Sequence, residues 1–497
     1  MQIYNTESGR KEPFEPLTLP VRMYVCGLTP KNEPHLGHAR LFIVNDTIRR
    51  YLTYRDYPVS YVQNFTDIDD KTIAAGLREG ISPFEAAQRY MDGYFRDMDA
   101  LNVQRADQFT YVTKYIPQII EMVEGLIEKG HAYEIDGDVY FSVPSFPEYG
   151  KLSGRNADAM LAGARIEPDE RKHDPRDFAL WKAAKPGEPW WESPWGKGRP
   201  GWHIECSTMA LATLGDQIDI HGGGTDLIFP HHENEIAQSE SYTGVEPFVR
   251  FWVHTGMLTM LGEEGKEEKI AHSGRFVTIR STLEQGRIPP PALRAYLLGT
   301  HYHANLMFSE EQLRGTIGRW RRWVEARATA LRLKAWAAEH QPEGVAYAPG
   351  KAESDLLGAV QDAHDQFVAA MDDDFNTSLA LSVIDEMAHR ANDYAHSLGG
   401  ETAPAGSVEA LGAAAAMLEE LTGVLGVSLD DEASDTALDE AARAQIEALM
   451  AERTAARARK DWGEADRIRK TLEDNWNVVV KDTPQGPTWT LREAAGG

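Results

Sequence analysis

An alternation of strand-like and helix-like segments near the start of the chain constrains the fold more than any other feature of the sequence. Residues 21–26 form an apolar run typical of a buried strand, residues 37–52 follow a helical pattern, and residues 59–63 again resemble a strand. This βαβ order predicts a parallel sheet with helices packed against it. We therefore expect an α/β domain at the front of the chain.

Changes of composition divide the rest of the chain. Residues 135–200 break into short strands and loops rich in Pro, Gly and Trp, which indicates an insertion. Helical periodicity dominates residues 309–426 and predicts a helix bundle. An acidic linker at 430–439 precedes a helical hairpin and a short strand at 478–480, which predict a small terminal module. Because 497 residues exceed what one hydrophobic core serves, several domains are expected.

Cysteine content and charge narrow the functional classes. The two cysteines, Cys26 and Cys206, exclude a disulfide-built secreted scaffold and suit a reducing cytosol. Residues 1–20 lack a secretion signal and no segment approaches the roughly 18 apolar residues of a membrane span, so we expect a soluble, cytoplasmic protein with no membrane partner. A net charge of −26 disfavours indiscriminate binding to phosphate backbones. The basic stretches 314–334 and 451–470 could contact RNA locally or could be solvated helix faces.

The first candidate site is Pro34-His35-Leu36-Gly37-His38, between a strand end and a helix start. Unpaired backbone N–H groups and the helix dipole attract phosphate there, Gly37 allows close approach, and two histidines can donate to phosphate oxygens. Histidines at a helix start are, however, more often caps or surface residues.

The second candidate is His231-His232-Glu233-Asn234-Glu235 at the start of a predicted helix. His231 and Glu235 are four residues apart, so they share a helix face and could bind a metal, with Cys26 and Cys206 completing a zinc site. A metalloprotease motif is excluded, because Ile236 stands where a histidine is needed. The spacing alone is explained by a polar helix start and two unrelated buried cysteines at least as well as by a zinc site.

The third candidate is His221-Gly222-Gly223-Gly224-Thr225-Asp226, after a predicted strand at 217–220. A glycine run lets a ligand approach the backbone, and Asp226 could hold ribose hydroxyls. A tight loop would require the same glycines, so both interpretations stay open.

Several longer segments stand out in order along the chain: MYVCGLT at 23–29, HLGH at 35–38, NFTDIDDK at 64–71, GWHIECS at 201–207, residues 221–238, MDDDFNT at 371–377, KDW at 460–462 and QGPTW at 485–489. Together they resemble the bacterial cysteinyl-tRNA synthetases nearly from end to end. The resemblance implies a class I synthetase with a Rossmann-type parallel-sheet catalytic domain, an insertion, an α-helical bundle and a small C-terminal domain.

The resemblance also implies domain boundaries and site residues. The domains are the first half of the catalytic domain (1–134), an acceptor-end-binding insertion (135–200), the second half of the catalytic domain (201–260), a stem-contact region with a degenerate nucleotide loop (261–308), an anticodon-binding helix bundle (309–430) and a small C-terminal tRNA-binding domain (440–497). The zinc ligands fall on Cys26, Cys206, His231 and Glu235, cysteine binding on Gly27, Thr29, Thr66 and Trp202, ATP binding on Gly37, His38, Asp226, His254, Lys269 and His272, and catalysis on His35, His38 and Lys269.

The implied activity is that of a cysteine-tRNA ligase, with ATP and Mg²⁺, L-cysteine and tRNA(Cys) as reactants and one zinc ion per chain. An apolar pocket separates cysteine from serine by only about 1 to 3 kcal/mol, whereas zinc binds a thiolate far better than a neutral hydroxyl. Zinc would therefore provide selectivity without editing. We expect a monomer, because no coiled-coil heptads occur.

The sequence departs from the family pattern at the second nucleotide motif. Lys269-Ile270-Ala271-His272-Ser273 has a histidine in place of the second lysine of Lys-Met-Ser-Lys-Ser, which should weaken pyrophosphate stabilisation. Lys269, Lys266 or Arg275 could compensate. Near the first motif, Pro30-Lys31-Asn32-Glu33-Pro34 replaces the more usual Val-Tyr-Asp segment.

Two alternatives stay open at this stage. A homologous ligase of mycothiol synthesis joins cysteine to an aminosugar and shares the zinc and nucleotide motifs, but it lacks a full anticodon-binding tail. A catalytically lapsed tRNA- or cysteine-binding homologue would explain the altered loop.

Overall fold

The computed structural model describes residues 1–155, 170–261, 267–269, 277–340, 349–398, 405–430, 440–476, 478–483 and 486–491. The chain forms two compact units. The first contains Met1–Ile317, Gln366–Leu381 and Val424–Val427, and the second contains Gly318–Asp365, Ser382–Gly423 and Ser428–Gly497. The described helices are each too short or too polar to span a lipid bilayer.

Strands and helices alternate through the first unit, and helices dominate the second. The strands are β1 Gln2–Asn5, β2 Arg10–Pro13, β3 Val21–Leu28, β4 Val59–Phe65, β5 Gln108–Tyr111, β6 Ala132–Ile135, β7 Asp138–Phe141, β8 Phe178–Ala183, β9 Gly198–Pro200, β10 Ile218–Gly224, β11 Val249–Thr255, β12 Leu258–Leu261, β13 Glu267–Lys269, β14 Leu306–Met307, β15 Val478–Thr483 and β16 Gly486–Leu491. The α-helices are α1 Leu36–Tyr54, α2 Asp70–Glu79, α3 Pro83–Ala100, α4 Ile116–Glu128, α5 Trp202–Leu214, α6 Glu233–Thr243, α7 Pro290–Leu297, α8 Glu310–His340, α9 Lys351–Asp372, α10 Thr377–Ser397, α11 Ala405–Val424, α12 Glu440–Ala458 and α13 Trp462–Trp476.

The centre of the first unit is a parallel sheet, which confirms the predicted α/β fold. Within the described residues its strand order is β11-β10-β3-β4-β5, and every neighbouring pair is parallel. The chain runs from β3 to β4 and β5 on one side and later returns to β10 and β11 on the other side. The crevice between the carboxyl ends of β3 and β10 is therefore the topological switch point, where open α/β sheets bind ligands.

The predicted helix at 37–52 is α1, which begins and ends within two residues of the predicted bounds. His35 is its N-cap and accepts a hydrogen bond from the Gly37 backbone N–H, while the His38 side chain accepts one from the His35 backbone N–H. These two contacts satisfy backbone donors that a helix start leaves unpaired. The histidines of the first motif therefore lie at the first turn of α1.

The glycine run 222–224 lies inside β10, so its interpretation as a tight loop after a strand at 217–220 is wrong. Its residues pair with Val253, His254 and Thr255 of β11. A Cβ atom at Gly222 would lie 2.3 Å from Asn45 Oδ1, and one at Gly223 would lie 2.5 Å from His232 Cε1. Glycine is needed here because neighbouring side chains press against the strand, and not because the chain turns.

An antiparallel sheet in the order β6-β7-β8-β9 starts at Ala132, close to residue 135, where the sequence predicts that an insertion begins. Trp181 of β8 is fully buried, and a Cβ atom at Gly198 of β9 would lie 2.2 Å from its indole nitrogen. Arg199 and Lys182 both contact the carboxylate of Asp70 at the start of α2. These ion pairs join the insertion sheet to the helix that follows β4.

The second unit consists mainly of helices, as the sequence predicts. Trp320 and Trp323 of α8 are buried, and their indole N–H groups donate to the Ser428 carbonyl and to Asp385 Oδ1, both at 2.8 Å. Near the end of the chain, α12, α13 and the β15–β16 hairpin enclose a small core of their own. The sequence also predicts a turn at Pro484-Gln485-Gly486-Pro487, and this segment lies partly outside the described residues.

Candidate active site and metal centre

A cavity of about 1240 Å³ opens at the switch point of the central sheet. Its wall contains Thr66 after β4 and residues at the carboxyl ends of three other strands: 26–29 at β3, Gly224 and Asp226 at β10, and 255–257 at β11. The start of α1 and the insertion sheet line other parts of it. Most of the site residues predicted from the sequence meet in this one space.

Two thiols, an imidazole and a carboxylate converge at the base of the cavity. Cys26 Sγ lies 3.7 Å from Cys206 Sγ and 3.7 Å from Glu235 Oε1, and Glu235 Oε1 lies 3.0 Å from His231 Nε2. Cys206 in turn forms a side-chain hydrogen bond with His231. All four residues are buried. The structure thus brings together the four residues predicted as zinc ligands.

A fifth donor, His232, lies in the same cluster. Its Nε2 is 3.4 Å from Cys26 Sγ and 3.9 Å from Glu235 Oε1. The tightest group of donor atoms, all within 4.8 Å of one another, contains Cys26, His231, His232 and Glu235, and Cys206 falls outside that limit. Cys26, Cys206 and His231 line the cavity, whereas His232 is fully buried behind them.

Other imidazoles fix the orientation of the cluster. His203 Nδ1 lies 2.9 Å from His231 Nδ1, so the Nε2 of His231 is directed at Glu235. His221 Nε2 lies 2.9 Å from Glu235 Oε2, so it contacts the carboxylate oxygen that His231 does not contact. Hydrogen-bonded outer residues of this kind set the tautomer and direction of metal-binding side chains.

The ionisable groups of the cluster shift one another's pKa values. Burial alone would raise the pKa of Glu235, but His221 and His231 outweigh it and lower the pKa to about 2. Burial opposes protonation of His231, yet Glu235 and Cys206 raise its pKa to about 10. The hydrogen bond with Cys26 lowers the pKa of Cys206 to about 6, while burial raises the pKa of Cys26. A carboxylate and a thiolate are thus stabilised beside a positive charge, which a bound cation could replace.

The histidine pair of the first motif stands at another part of the same cavity. The rings of His35 and His38 stack with centroids 3.7 Å apart. Burial, with the nearby charge of Lys31, lowers the pKa of His35 to about 4, and burial also lowers the pKa of His38. Both rings are therefore neutral near pH 7. Because each Nδ1 accepts a backbone hydrogen bond, each Nε2 carries the ring proton and is a donor.

The four residues predicted to bind cysteine all line the cavity. The Trp202 ring stacks on His231 with centroids 4.4 Å apart. Gly27 N–H donates to Asn64 Oδ1 at 2.8 Å, and a Cβ atom at Gly27 would lie 1.6 Å from the Asn64 carbonyl oxygen. Glycine is required at this position because β3 and β4 approach closely where they reach the site.

The predicted nucleotide residues divide into three groups. Gly37, His38 and Asp226 line the cavity. His254 is buried beneath it, with its ring nitrogens 2.8 Å from His232 Nδ1 and 2.7 Å from Thr6 Oγ1. The backbone of Lys269 ends β13, but its side chain and the whole of His272 lie outside the described residues.

Sequence reasoning missed several residues around the cluster. Five of them stand in the motifs quoted above but have no predicted role: Asn64, His203, Glu205, His221 and His232. His203 and Glu205 stand in the segment GWHIECS beside Trp202 and Cys206, so position next to predicted ligands was the available signal. The contact of His221 with Glu235 depends on how β10 packs against α6 and has no local signature.

Comparison with known protein families identifies the class of enzyme to which the chain belongs. Residues 14–317 match the family described as tRNA synthetases class I (C) catalytic domain, residues 366–430 match the DALR domain, and residues 439–489 match the cysteinyl-tRNA ligase anticodon binding domain. The first match covers more than half of the chain. Together with the parallel sheet and its switch-point cavity, it defines a class I aminoacyl-tRNA synthetase.

Comparison with individual related proteins then identifies the family within that class. The chain is 48% identical over 504 residues to the cysteine–tRNA ligase of Pelotomaculum thermopropionicum, covering 98% of this chain and 99% of the relative. It is 47% identical to that of Heliobacterium modesticaldum, covering 98% and 99%. The chain belongs to the cysteine–tRNA ligase family, and it is an enzyme of that family.

Solved structures agree on the fold. A methionyl-tRNA synthetase of Mycobacterium tuberculosis, in complex with methionyl-adenylate, is similar with a TM-score of 0.59 and 17% identity, covering 82% of this chain and 90% of that chain. A putative arginyl-tRNA synthetase of Campylobacter jejuni is similar with a TM-score of 0.58 and 12% identity, covering 84% and 95%. At such low identity the likeness concerns the fold alone.

Proposed function

We propose that this chain activates L-cysteine with ATP, transfers the cysteinyl group to the terminal adenosine of tRNA(Cys), and selects cysteine through a zinc ion held by Cys26, Cys206, His231 and Glu235. The observation that carries the proposal is the convergence of these four side chains at the base of the cavity that also contains the first-motif histidines.

The donor set fits zinc. Zinc is bound by thiolate, imidazole and carboxylate groups at about 2.0 to 2.3 Å, so tetrahedral ligand atoms lie about 3.2 to 3.8 Å apart. The two separations of 3.7 Å from Cys26 Sγ agree with that spacing, and the 3.0 Å between Glu235 Oε1 and His231 Nε2 is a hydrogen-bond distance about 0.2 Å below it. The ion would supply a Lewis acid that binds the substrate thiolate and not a neutral hydroxyl, which separates cysteine from serine.

Cys206 is proposed as a ligand in preference to His232 because of where each faces. A metal that contacts a substrate must be reachable from the cavity. Cys26, Cys206 and His231 line the cavity and would provide that access, with Glu235 as the one buried ligand, whereas His232 does not line it. The other ring nitrogen of His232 is bonded to His254, which suits a supporting residue. His254 therefore supports the cluster in this proposal and does not contact ATP.

Activation uses the start of α1. The cysteine carboxylate attacks the α-phosphorus of ATP, the bond to pyrophosphate breaks, and cysteinyl-adenylate forms. The Nε2–H groups of His35 and His38, with the backbone N–H groups at the helix start, donate to phosphate oxygens as negative charge develops. Since both rings are neutral donors, no proton has to leave them during this step.

Transfer requires the tRNA to reach the same cavity. A ribose hydroxyl of the terminal adenosine, the 2′ hydroxyl by class I analogy, attacks the acyl carbon, and AMP leaves. We assign the insertion at 135–200 to the acceptor end, 261–308 to the stem, and the helix bundle 309–430 with the terminal module 440–497 to the rest of the tRNA. The anticodon binding domain match at 439–489 supports a role for the terminal module in anticodon recognition.

Two measurements test the activity in the proposal. Cysteine-dependent exchange between ATP and pyrophosphate, with serine as the comparison, tests activation, and charging of tRNA(Cys) rather than ligation to an aminosugar tests the acceptor. The match of the terminal module favours the tRNA. No exchange by a folded, zinc-loaded sample would indicate a lapsed enzyme.

The ligand set is tested separately by zinc affinity. Cys206→Ser should release zinc to a chelator far more readily than His232→Asn, because the first change removes a ligand and the second only a supporting residue. The reverse order of zinc affinities would replace Cys206 by His232 in the ligand set.

A further inference from the structure

Glu205 is a buried carboxylate on the cavity wall that none of the roles above uses. It lies in the first turn of α5, immediately before Cys206, and it is 1% exposed. Its side chain nevertheless borders the cavity. A buried acid at such a position is costly unless a partner compensates its charge.

The other buried glutamates of the described chain have such partners. Glu233 accepts backbone hydrogen bonds from Gly150 and Ser153, Glu235 contacts His221 and His231, and Glu240 contacts Lys151 at 2.6 Å. Glu205 differs: Oε2 accepts a hydrogen bond from Thr66 at 3.0 Å, but Oε1 has no hydrogen-bond partner among the described residues. One carboxylate oxygen thus remains for a ligand.

The surrounding hydrogen bonds show what kind of ligand fits. Thr66 gives its single hydroxyl proton to Glu205, and the Thr66 oxygen is 3.5 Å from the Asn64 amide nitrogen. Asn64 Oδ1 is occupied by the Gly27 N–H. Towards a ligand, the Thr66 oxygen can therefore only accept hydrogen bonds, and the unpaired oxygen of an ionised Glu205 would do the same. Burial raises the pKa of Glu205, so its ionised form needs a positive charge beside it. This combination suits a cationic donor.

We propose that Glu205 binds the α-ammonium group of the substrate amino acid. The inference rests on the proposed function, in which the substrate sulfur lies at the metal cluster. In cysteine the nitrogen is three bonds from the sulfur, at about 3 to 4 Å. Cys206 of the cluster and Glu205 both line the cavity, so a ligand with its sulfur at the cluster can place its ammonium group at this carboxylate.

The test compares two thiols that differ only in the ammonium group. Dissociation constants of L-cysteine and 3-mercaptopropionate are measured by calorimetry on the zinc-loaded full chain, on Glu205→Gln and on Glu240→Gln. We expect Glu205→Gln to weaken cysteine binding about 10- to 100-fold, as for a lost hydrogen bond to a charged group, and to change 3-mercaptopropionate binding less than about threefold. Glu240→Gln, which removes a buried acid away from the site, should leave the ratio of the two constants unchanged.

The unmodified chain provides a second measurement that does not depend on a variant folding. It should bind cysteine at least about 10-fold more tightly than 3-mercaptopropionate. Equal affinities, an equal loss of both ligands in Glu205→Gln, unchanged cysteine binding, or loss of zinc from that variant would each overturn the role of Glu205. If the unmodified, zinc-loaded chain binds neither thiol, the proposed function itself fails, and the inference fails with it.

Discussion

Replacing Gly223 by alanine should disturb the metal cluster although Gly223 is not itself a predicted ligand. Gly223 lies in β10, and a Cβ atom there would be 2.5 Å from His232 Cε1 and 3.0 Å from His232 Nε2. Ordinary carbon contacts need about 3.5 Å or more, so the imidazole would have to move by roughly 1 Å. That ring is fully buried and is held by His254 at 2.8 Å.

The cost can be estimated from these contacts. Overpacking a buried site typically costs about 1 to 3 kcal/mol, and stretching the bond between His232 and His254 adds about 1 kcal/mol. A loss of about 2 to 4 kcal/mol should lower the Tm of the catalytic unit by roughly 5 to 10 °C. Because His232 Nε2 lies 3.4 Å from Cys26 Sγ, zinc retention should fall as well.

Calorimetry and chelator competition measure the two effects. Gly358→Ala is a matched control, because Gly358 lies in α9 with nothing within 4 Å of the added Cβ atom, so the same change should leave Tm unchanged or raise it slightly. A Gly223→Ala protein whose Tm and zinc retention both equal those of the unmodified chain would refute the argument. That result would mean that the glycine run tolerates side chains, as an ordinary loop does.

Three further predictions concern other parts of the first unit. Arg294→Met should cost about 3 to 5 kcal/mol of stability, measured by calorimetry, because the buried guanidinium donates to the Leu425 and Leu101 carbonyls and pairs with Asp46. Burial raises the pKa of Asp97 to about 7, so the folded chain holds this proton to higher pH than the unfolded chain, and stability falls as pH rises from about 4 to about 7. Asp97→Asn should remove this loss and gain about 1 to 2 kcal/mol relative to the unmodified chain at pH 8, but not at pH 4, in thermal unfolding. Lys31→Gln should raise the KM for ATP about 3- to 10-fold in pyrophosphate exchange without changing the KM for cysteine, because Lys31 lines the cavity near the first-motif histidines.

Each of these predictions has a contradicting outcome. Arg467→Met removes an exposed ion pair with Glu464 and should change stability by less than about 0.5 kcal/mol, so an equal effect of Arg294→Met would contradict the burial argument. A pH dependence of stability that Asp97→Asn leaves intact would assign it to other groups. An equal rise of both KM values in Lys31→Gln would indicate a general disturbance of the cavity.

The sequence predicted those parts of the fold that local patterns determine. The start of α1 was predictable because a strand end, two histidines and a glycine stand together, and the observed capping contacts involve only residues 35–38. The four-residue spacing of His231 and Glu235 likewise predicts a shared helix face, and their side chains meet at 3.0 Å. Such contacts depend on neighbours within one turn of helix.

The outer residues of the cluster could not be predicted in this way. His221 contacts Glu235, and His254 contacts His232, through the packing of β10 and β11 against α6. The position of the glycine run inside β10 could not be predicted for the same reason, since the side chains that exclude a Cβ atom there come from α1 and from the segment before α6. Sequence periodicity describes one element at a time and carries no information about which side chains press on it from another.

Strand order explains how the cluster forms from segments that are distant in sequence. Cys26 and Cys206 are 180 residues apart, yet β3 and β10 are neighbours, with Tyr24 opposite His221 and Val25 opposite Gly222. The chain leaves β3 on one side of the sheet and returns on the other, so the insertion sheet lies wholly within the excursion between the two cysteines. The positions of the two thiols then depend on the pairing of β3 with β10 and on the packing of α5 against the sheet, and not on the length of the intervening chain. Changes of insertion length should therefore alter access to the cavity while leaving the metal cluster intact.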